Sequence, residues 1–437
     1  MTVATPVGRL DFGDQAALDA ALSGMAQRLR GSEILRISAE VRAASASRPV
    51  CNLTVGDFDP RQFPIPAPLR ELLIQALTQG ETNYPPSDGL LSLRQAVVEY
   101  VAREHGVTFP LESVVITGGG RPAIYGAVRC LVDEGDTVLY SVPSWNNDHY
   151  SRFVGARERV ITADRARGFQ PTALELTPWL GEATLLCLCS PGNPTGTVLP
   201  AEELRAILEA VVRENEQRAA TGKRPLFVLY DLMYGSLLFN GLEHPHPLSM
   251  VPEAAPWLVV VDGISKAFAA TGLRVGWALG APAVIARLKD FLGHVGAWAP
   301  RPEQVATAAF LRDPAGIAAF RESMSTALLA RLDALHTGFT ALRDEGHPVD
   351  CVRPQGAMYL SLRLDLAGRR FEGTTIADNE AIRKLLLDKA GVAVVPFQAF
   401  GLEGESGWFR LSAGAVSLRD IEEALPRVRL LLEGVTV

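Results

Sequence analysis

Val259-Val260-Val261-Asp262-Gly263-Ile264-Ser265-Lys266 runs straight into Ala-Phe-Ala-Ala-Thr-Gly-Leu and then Arg274-Val275-Gly276. A β-branched apolar run reads as a buried strand, here 258–262, and it empties into a small turn that carries one lysine. Exposed lysines belong to solvated stretches. A lysine held among apolar neighbours has its charged form disfavoured, so its neutral amine can serve as a nucleophile. A lysine so placed needs partners from the rest of the chain.

Working outward, four more short apolar runs stand out: 113–117, 137–141, 184–189 and 226–230. They are continuous rather than half-polar, which predicts strands covered on both faces. Helical patterns lie between several of them. Residues 67–79 place Leu69, Leu72, Leu73, Ala76 and Leu77 on one face, and another helix runs to about residue 105. In 201–212, Leu204, Ile207, Leu208 and Val211 form a stripe behind Pro200. Residues 213–225 are polar and read as a loop excursion. The alternation predicts an α/β fold: a mostly parallel sheet sandwiched by helices.

After about residue 300 the texture changes. A helical stretch over 303–345 is followed by strands at 357–363, 392–396 and 408–412, and by helices at 376–390 and 417–433. This predicts a smaller α/β domain, joined by the N-terminal segment, whose first 50 residues read as two helical pieces around Gly31. The expected division is 1–60 as N-terminal arm, 61–305 as large domain and 306–437 as small domain. There is no internal repeat and no low-complexity tract.

The 437 residues are 48% hydrophobic and 21% charged, ordinary for a globular chain long enough for two cores. A net charge of −7 with no basic block speaks against nucleic acid or an anionic membrane as partner. Five cysteines show neither zinc nor disulfide spacing. Cys187 and Cys189 alternate along one strand and read as structural thiols, which fits a cytoplasmic setting. No basic segment leads into a long apolar stretch, and no run reaches the ~20 apolar residues of a spanning helix. The seven histidines lack metal spacing; His149, His244 and His246 read as loop or surface residues.

In an open α/β sheet, ligands bind outside the carboxyl ends of the strands. The five strands lead into Gly118-Gly119-Gly120-Arg121, Pro143-Ser144-Trp145, Ser190-Pro191-Gly192-Asn193-Pro194-Thr195-Gly196, Tyr230-Asp231 with Tyr234, and Ser265-Lys266. Each group has a use if the ligand is pyridoxal phosphate. Lys266 can form an imine with the aldehyde. Asp231 can keep the pyridine nitrogen protonated, making the ring an electron sink. Asn193 and Tyr234 can hydrogen-bond the phenolic oxygen. The glycines let backbone N–H groups approach phosphate at a helix N-terminus, with Ser265 and Arg274 adding to the cradle. The face of Trp145 can stack on the ring.

These residues, in this order, resemble the class I/II aminotransferases of the aspartate aminotransferase superfamily, with the type I pyridoxal-phosphate fold. The resemblance runs from Gly56-Asp57-Phe58 through Tyr84…Gly89…Leu93-Arg94, the glycine loop, Asn193-Pro-Thr-Gly196, Asp231-x-x-Tyr234, Ser265-Lys266 and Arg274. It continues with Pro354-x-Gly356-Ala357-x-Tyr359 and Phe409-Arg410-Leu411-Ser412. Single fragments are weak; their joint order and spacing are specific. It implies that Lys266 is the Schiff-base lysine and proton shuttle, with Asp231 as pyridinium partner and Asn193 and Tyr234 as phenolic-oxygen ligands. Trp145 matches the stacking aromatic, and Gly119, Gly120, Arg121 and Arg274 match the phosphate cradle. Arg410 matches the clamp for the substrate α-carboxylate, a task that suits its planar fork. Gly56 matches the turn over the substrate, and Tyr84 a residue reaching the partner subunit's phosphate. The family is dimeric with shared active sites.

The chain departs from the pattern in places. Gly263 stands where many relatives have serine, Leu232 where many have glutamate, and Phe397 where many have glycine. The implied activity is a ping-pong transfer of the amino group of an L-amino acid to a 2-oxo acid. Two alternatives stand beside it: a lyase or decarboxylase on the same fold, and a non-catalytic cofactor-binding regulator. The last lacks support, since only about 50 residues precede Gly56 and they show no helix-turn-helix pattern. Bland readings also stand beside the sharp ones: Arg410 as a paired strand arginine, Trp145 as core, Arg121 as a helix-start surface residue, Tyr84 as loop, Tyr359 as packing. Arg301 fits an acidic substrate or the neighbouring phosphate equally. Trp298, Phe397 and Ile37 fit an apolar side-chain pocket or plain core packing.

Overall fold

The computed structural model describes residues 10–27, 29 and 31–436. The apolar runs assemble into a seven-stranded sheet. Its order is Val114–Thr117, Gly276–Leu279, Leu258–Gly263, Phe227–Asp231, Leu185–Cys189, Thr137–Val142, Arg157–Thr162. Only Gly276–Leu279 runs antiparallel to its neighbours. Alternate residues of each central strand enter different cores. Leu186, Leu188, Val228, Tyr230, Leu258 and Val260 pack with Leu204, Ile207 and Leu208 on one face. Leu185, Cys187, Leu229, Val259 and Val261 pack with Ala123, Ala127 and Val128 on the other. Covering both faces is why these strands read as unbroken apolar runs, each buried Val or Leu contributing about 1.5–3 kcal/mol.

A smaller antiparallel sheet follows, ordered Val395–Pro396, Trp408–Ser412, Tyr359–Leu364, Val349–Val352. Cys51–Asn52 pairs in parallel with Val392–Ala393. The buried Arg383 bridges Glu380 and Glu40 of the helix Glu33–Ser45. These contacts tie the N-terminal segment to the C-terminal unit. Among the described residues no helix is long and apolar enough to cross a membrane.

Several elements differ from the sequence expectation. The helix from Ala201 runs on to Thr221, through most of the expected loop 213–225. Its polar residues are fixed from inside. Asn215 Nδ2 donates to Leu226 O at 2.8 Å and its Oδ1 accepts from Leu226 N at 2.7 Å. The buried Arg218 guanidinium donates to the carbonyls of Leu180 and Ala183. The stretch 303–345 is two helices, Arg301–Phe310 and Pro314–Asp344, divided where Asp313 caps the second and Pro314 opens it. The expected helix 376–390 starts at Asn379 and closes in a wide turn at Leu386–Ala390. Arg157–Thr162 is an edge strand with alternating exposed residues, a pattern masked by its charges. His244 and His246 are not surface residues. His246 is 1% exposed, and His244 Nε2 lies 2.7 Å from the Tyr230 hydroxyl.

Candidate active site

The site forms where the large sheet's strands end. Val114–Thr117 passes through Gly118 and Gly119 into the helix Gly120–Leu131. The first N–H groups of that helix have no partner within it, which suits an anion. Gly119 has φ +90°, and a side chain there would overlap the Arg274 guanidinium. Arg274 donates to Gly118 O at 2.8 Å and to Thr271 O at 2.7 Å. Gly263 lies against the backbone of the neighbouring strand with no room for a side chain. A Cβ at 263 would lie 2.7 Å from Val275 O and 2.8 Å from Gly276 Cα, and a Cβ at 276 would lie 2.7 Å from the Gly119 carbonyl carbon. Two glycines thus let the strand Gly276–Leu279 approach the glycine loop.

Ser265 and Lys266 sit on the single turn Ile264–Ala267. Lys266 Nζ donates to Gly56 O at 2.7 Å and lies 4.0 Å from Asp57 Oδ1. Burial lowers its pKa to about 8; Asp57 opposes that shift, and Arg410, Arg121 and Arg274 add to it. Asp231 closes its strand and accepts the Met233 N–H at 3.0 Å. Burial pushes its carboxyl up to about 6, while the Met233 bond and the Cys189 thiol work the other way. Among the described residues the cavity between them, about 390 Å³, is lined by these groups together with Asn193, Tyr234, Gly120, Arg121 and Trp145.

Arg410 enters from the small sheet and is 1% exposed. Its Nη1 donates to Asn193 Oδ1 at 3.2 Å and its Nη2 to Thr54 O at 2.7 Å. The rings of Tyr359 and Phe400 flank it at 4.7 and 4.8 Å. The hydroxyls of Tyr234 and Tyr359 are 2.6 Å apart, and Asn193 Nδ2 lies 3.5 Å from the former. Burial raises both phenols, keeping them protonated donors. Tyr359 therefore lines the site instead of merely packing. The Arg121 guanidinium lies 5.1 Å from the Trp145 ring.

Other candidates fall elsewhere. Tyr84 is 81% exposed and meets Trp298 edge-on, away from this cavity. Arg301 is paired with Glu81. Phe397 is core, packed with Phe169 and Trp408. Ile37 is core as well, and Ile34, one turn earlier, is the residue that lines the cavity. Leu232 is buried outside the lining. Sequence reasoning did not single out Asp57, Ile34, Ile124 or Met233. Only Asp57 carried a signal, as the neighbour of Gly56 in the turn.

The profile of the family described as aminotransferase class I and II matches residues 48–428. This chain belongs to that family. An aspartate aminotransferase of Streptomyces avermitilis is 31% identical over 408 residues, covering 92% of this chain and 94% of that protein. The aspartate/prephenate aminotransferase of Thermus thermophilus is 31% identical over 382 residues, covering 87% and 90%. The crystal structure of the Rhizobium meliloti aspartate aminotransferase superposes with a TM-score of 0.85 at 27% identity, covering 95% of this chain and 99% of that one. The protein is thus a pyridoxal-phosphate-dependent aminotransferase, acting between an amino acid and a 2-oxo acid.

The residues of this aminotransferase fit the cofactor. The bare Gly119 lets the Arg274 guanidinium lie against the glycine loop, where a Cβ would displace it. The lining brings four cationic side chains, Arg121, Lys266, Arg274 and Arg410, against two carboxylates, Asp57 and Asp231. That balance suits a phosphate and a substrate carboxylate together.

Proposed function

We propose that Lys266 is the amine on which this aminotransferase works, with Asp231 and Arg410 as its principal partners. The observation that carries the reading is a single cavity that holds a lysine lowered to about 8, a carboxylate and a buried arginine. Pyridoxal phosphate, when bound, supplies an aldehyde for amines and a ring that withdraws electrons from the substrate α-carbon. Gly119, Gly120, Arg121, Ser265 and Arg274 would hold its phosphate, Trp145 its ring face, and Asn193 and Tyr234 its phenolic oxygen. Asp231, ionised above about pH 6, would pair with the ring nitrogen.

Lys266 has two tasks. A pKa near 8 leaves a usable share of neutral Nζ at physiological pH, so the amine can attack. With substrate bound, the same Nζ would accept the proton from the substrate α-carbon and carry it onward, and a group near the working pH does this well. The Gly56 carbonyl holds Nζ toward the cavity in the meantime. Arg410 would grip the α-carboxylate, exchanging its bonds to Asn193 and Thr54 for a bidentate pair.

The donor we propose is an acidic L-amino acid. The named activities of the relatives support it. The test is a panel of L-aspartate, L-phenylalanine and L-leucine with 2-oxoglutarate. Aspartate is expected to give the highest kcat/KM, with parallel double-reciprocal lines. Turnover of phenylalanine or leucine with aspartate inert would refute an acidic donor. We also propose a cytoplasmic homodimer, with Tyr84 reaching the partner's phosphate site. Free cysteines support the compartment. Exposed Ile74, Leu77, Tyr84, Leu91 and Val295 support the dimer.

A further inference from the structure

Asp231 has two neighbours in the large sheet, and they differ in kind. Strand Leu185–Cys189 runs parallel beside Phe227–Asp231 and places Cys189 opposite Asp231. On the other flank Val261 stands opposite Asp231. Side chains in register on adjacent strands project from the same face. The carboxylate therefore lies between a valine, which donates nothing, and a thiol, which can donate one proton. The rest of this face is apolar: Cys187, Leu229, Val259 and Val261 share one core.

The backbone serves one oxygen only, Oδ1, through the Met233 N–H at 3.0 Å. In the structure the Cys189 thiol donates to Pro191 O, 3.6 Å from Sγ, and Asp231, beside it in register, is the alternative acceptor. Pro191 opens the loop that delivers Asn193 to the same cavity. Cys189 thus stands where a side-chain donor can reach the acid. We propose that Cys189 is a positioning residue for Asp231: its thiol hydrogen-bonds the carboxylate, aims it at the cavity and favours its ionised form.

The electrostatics agree with that placement. Desolvation and the neighbouring Asp231 charge push the thiol well above its ordinary range, so Cys189 remains a protonated donor at working pH. The thiol bond in turn offsets part of the desolvation that raises Asp231. A carboxylate in such a setting tunes whatever cationic group it faces, and loss of its donor returns it toward the neutral acid. The proposal rests on the reading of Asp231 as partner of the cofactor's ring nitrogen.

The test compares the full-length protein with Cys189→Ser, Cys189→Val and Asp231→Ala, using pyridoxal phosphate itself as the probe. Its dissociation constant is measured by equilibrium dialysis from pH 5 to 8.5, without amino acid and without turnover. The wild type should lose affinity as pH falls through about 6, where Asp231 takes up its proton. Cys189→Val should move that midpoint about one pH unit higher, giving roughly fivefold weaker binding at pH 6 and little change at pH 8.5. Cys189→Ser, which keeps a donor, should restore most of the wild-type profile. A wild-type midpoint in Cys189→Val would overturn the proposal, as would an equal loss at every pH in both cysteine variants. Asp231→Ala separates the two readings. If it leaves the pH profile intact, Asp231 is not the ring partner and the site reading itself fails. If it flattens the profile while Cys189→Val does not move it, only the role of the thiol fails.

Discussion

A side chain at position 263 would meet the carbonyl of Val275 and the Cα of Gly276 at under 3 Å, and neither backbone atom can swing away. Gly263→Ser is therefore expected to destabilise the fold by about 2–3 kcal/mol, as overpacking does, and to loosen the glycine loop behind it. Equilibrium unfolding in urea measures this; an unchanged midpoint would show that the strand can back away freely. The same position marks what a sequence can convey. Lys266, Asp231, Asn193 and Arg410 were legible because each is a chemically distinctive residue at a strand end or on a strand, in a spacing that matched a family. The reason for Gly263 was not legible, because it depends on how closely the antiparallel strand packs. Ile34 was hidden, and Tyr359 was left between lining the site and packing, for a similar reason: which turn of a helix, or which end of a strand, faces a cavity is decided by packing between distant segments.

At the scale of elements, the strand Phe227–Asp231 carries the Asp231 carboxylate on one face and Tyr230 on the other, where the Tyr230 hydroxyl meets His244, near the buried His246. Burial lowers His244 to about 4 and His246 to about 3, with the neighbouring His105 adding to both shifts. The unfolded chain binds protons on these rings from about pH 6.5 downward, whereas the folded chain leaves them neutral. Stability is thus intact above about 6.5 and falls with pH below it, by about 2 kcal/mol per ring at pH 5. His244→Gln should flatten part of this acid limb in urea unfolding series run from pH 7 to 5. An acid limb identical to wild type would contradict the assignment. The helix Ala201–Thr221 teaches the complementary lesson. Its second half is polar in sequence, yet Asn215 and Arg218 are buried because they satisfy backbone groups of neighbouring segments. Polarity predicted a loop, and satisfied hydrogen bonds made a helix.

At the scale of the molecule, the candidate cavity is assembled from the large sheet, the small sheet and the N-terminal helix Glu33–Ser45, segments far apart in sequence. Tyr84 stands apart from it, 81% exposed beside Trp298. An aromatic residue so exposed, with Ile74, Leu77 and Val295 also bare, is expected to be covered by a second copy. Sedimentation should give twice 47.0 kDa, and Tyr84→Ala should weaken cofactor retention about tenfold while leaving that mass unchanged. A monomer with full cofactor affinity would contradict the dimer. The central claim is narrower: the reactive amine is Lys266 Nζ. Borohydride reduction of the cofactor-loaded protein, followed by peptide mass mapping, tests it directly. The pyridoxyl group is expected on the peptide containing Lys266, and absent from Lys266→Ala treated alike. Attachment at another lysine, or equal labelling of the variant, would contradict the account.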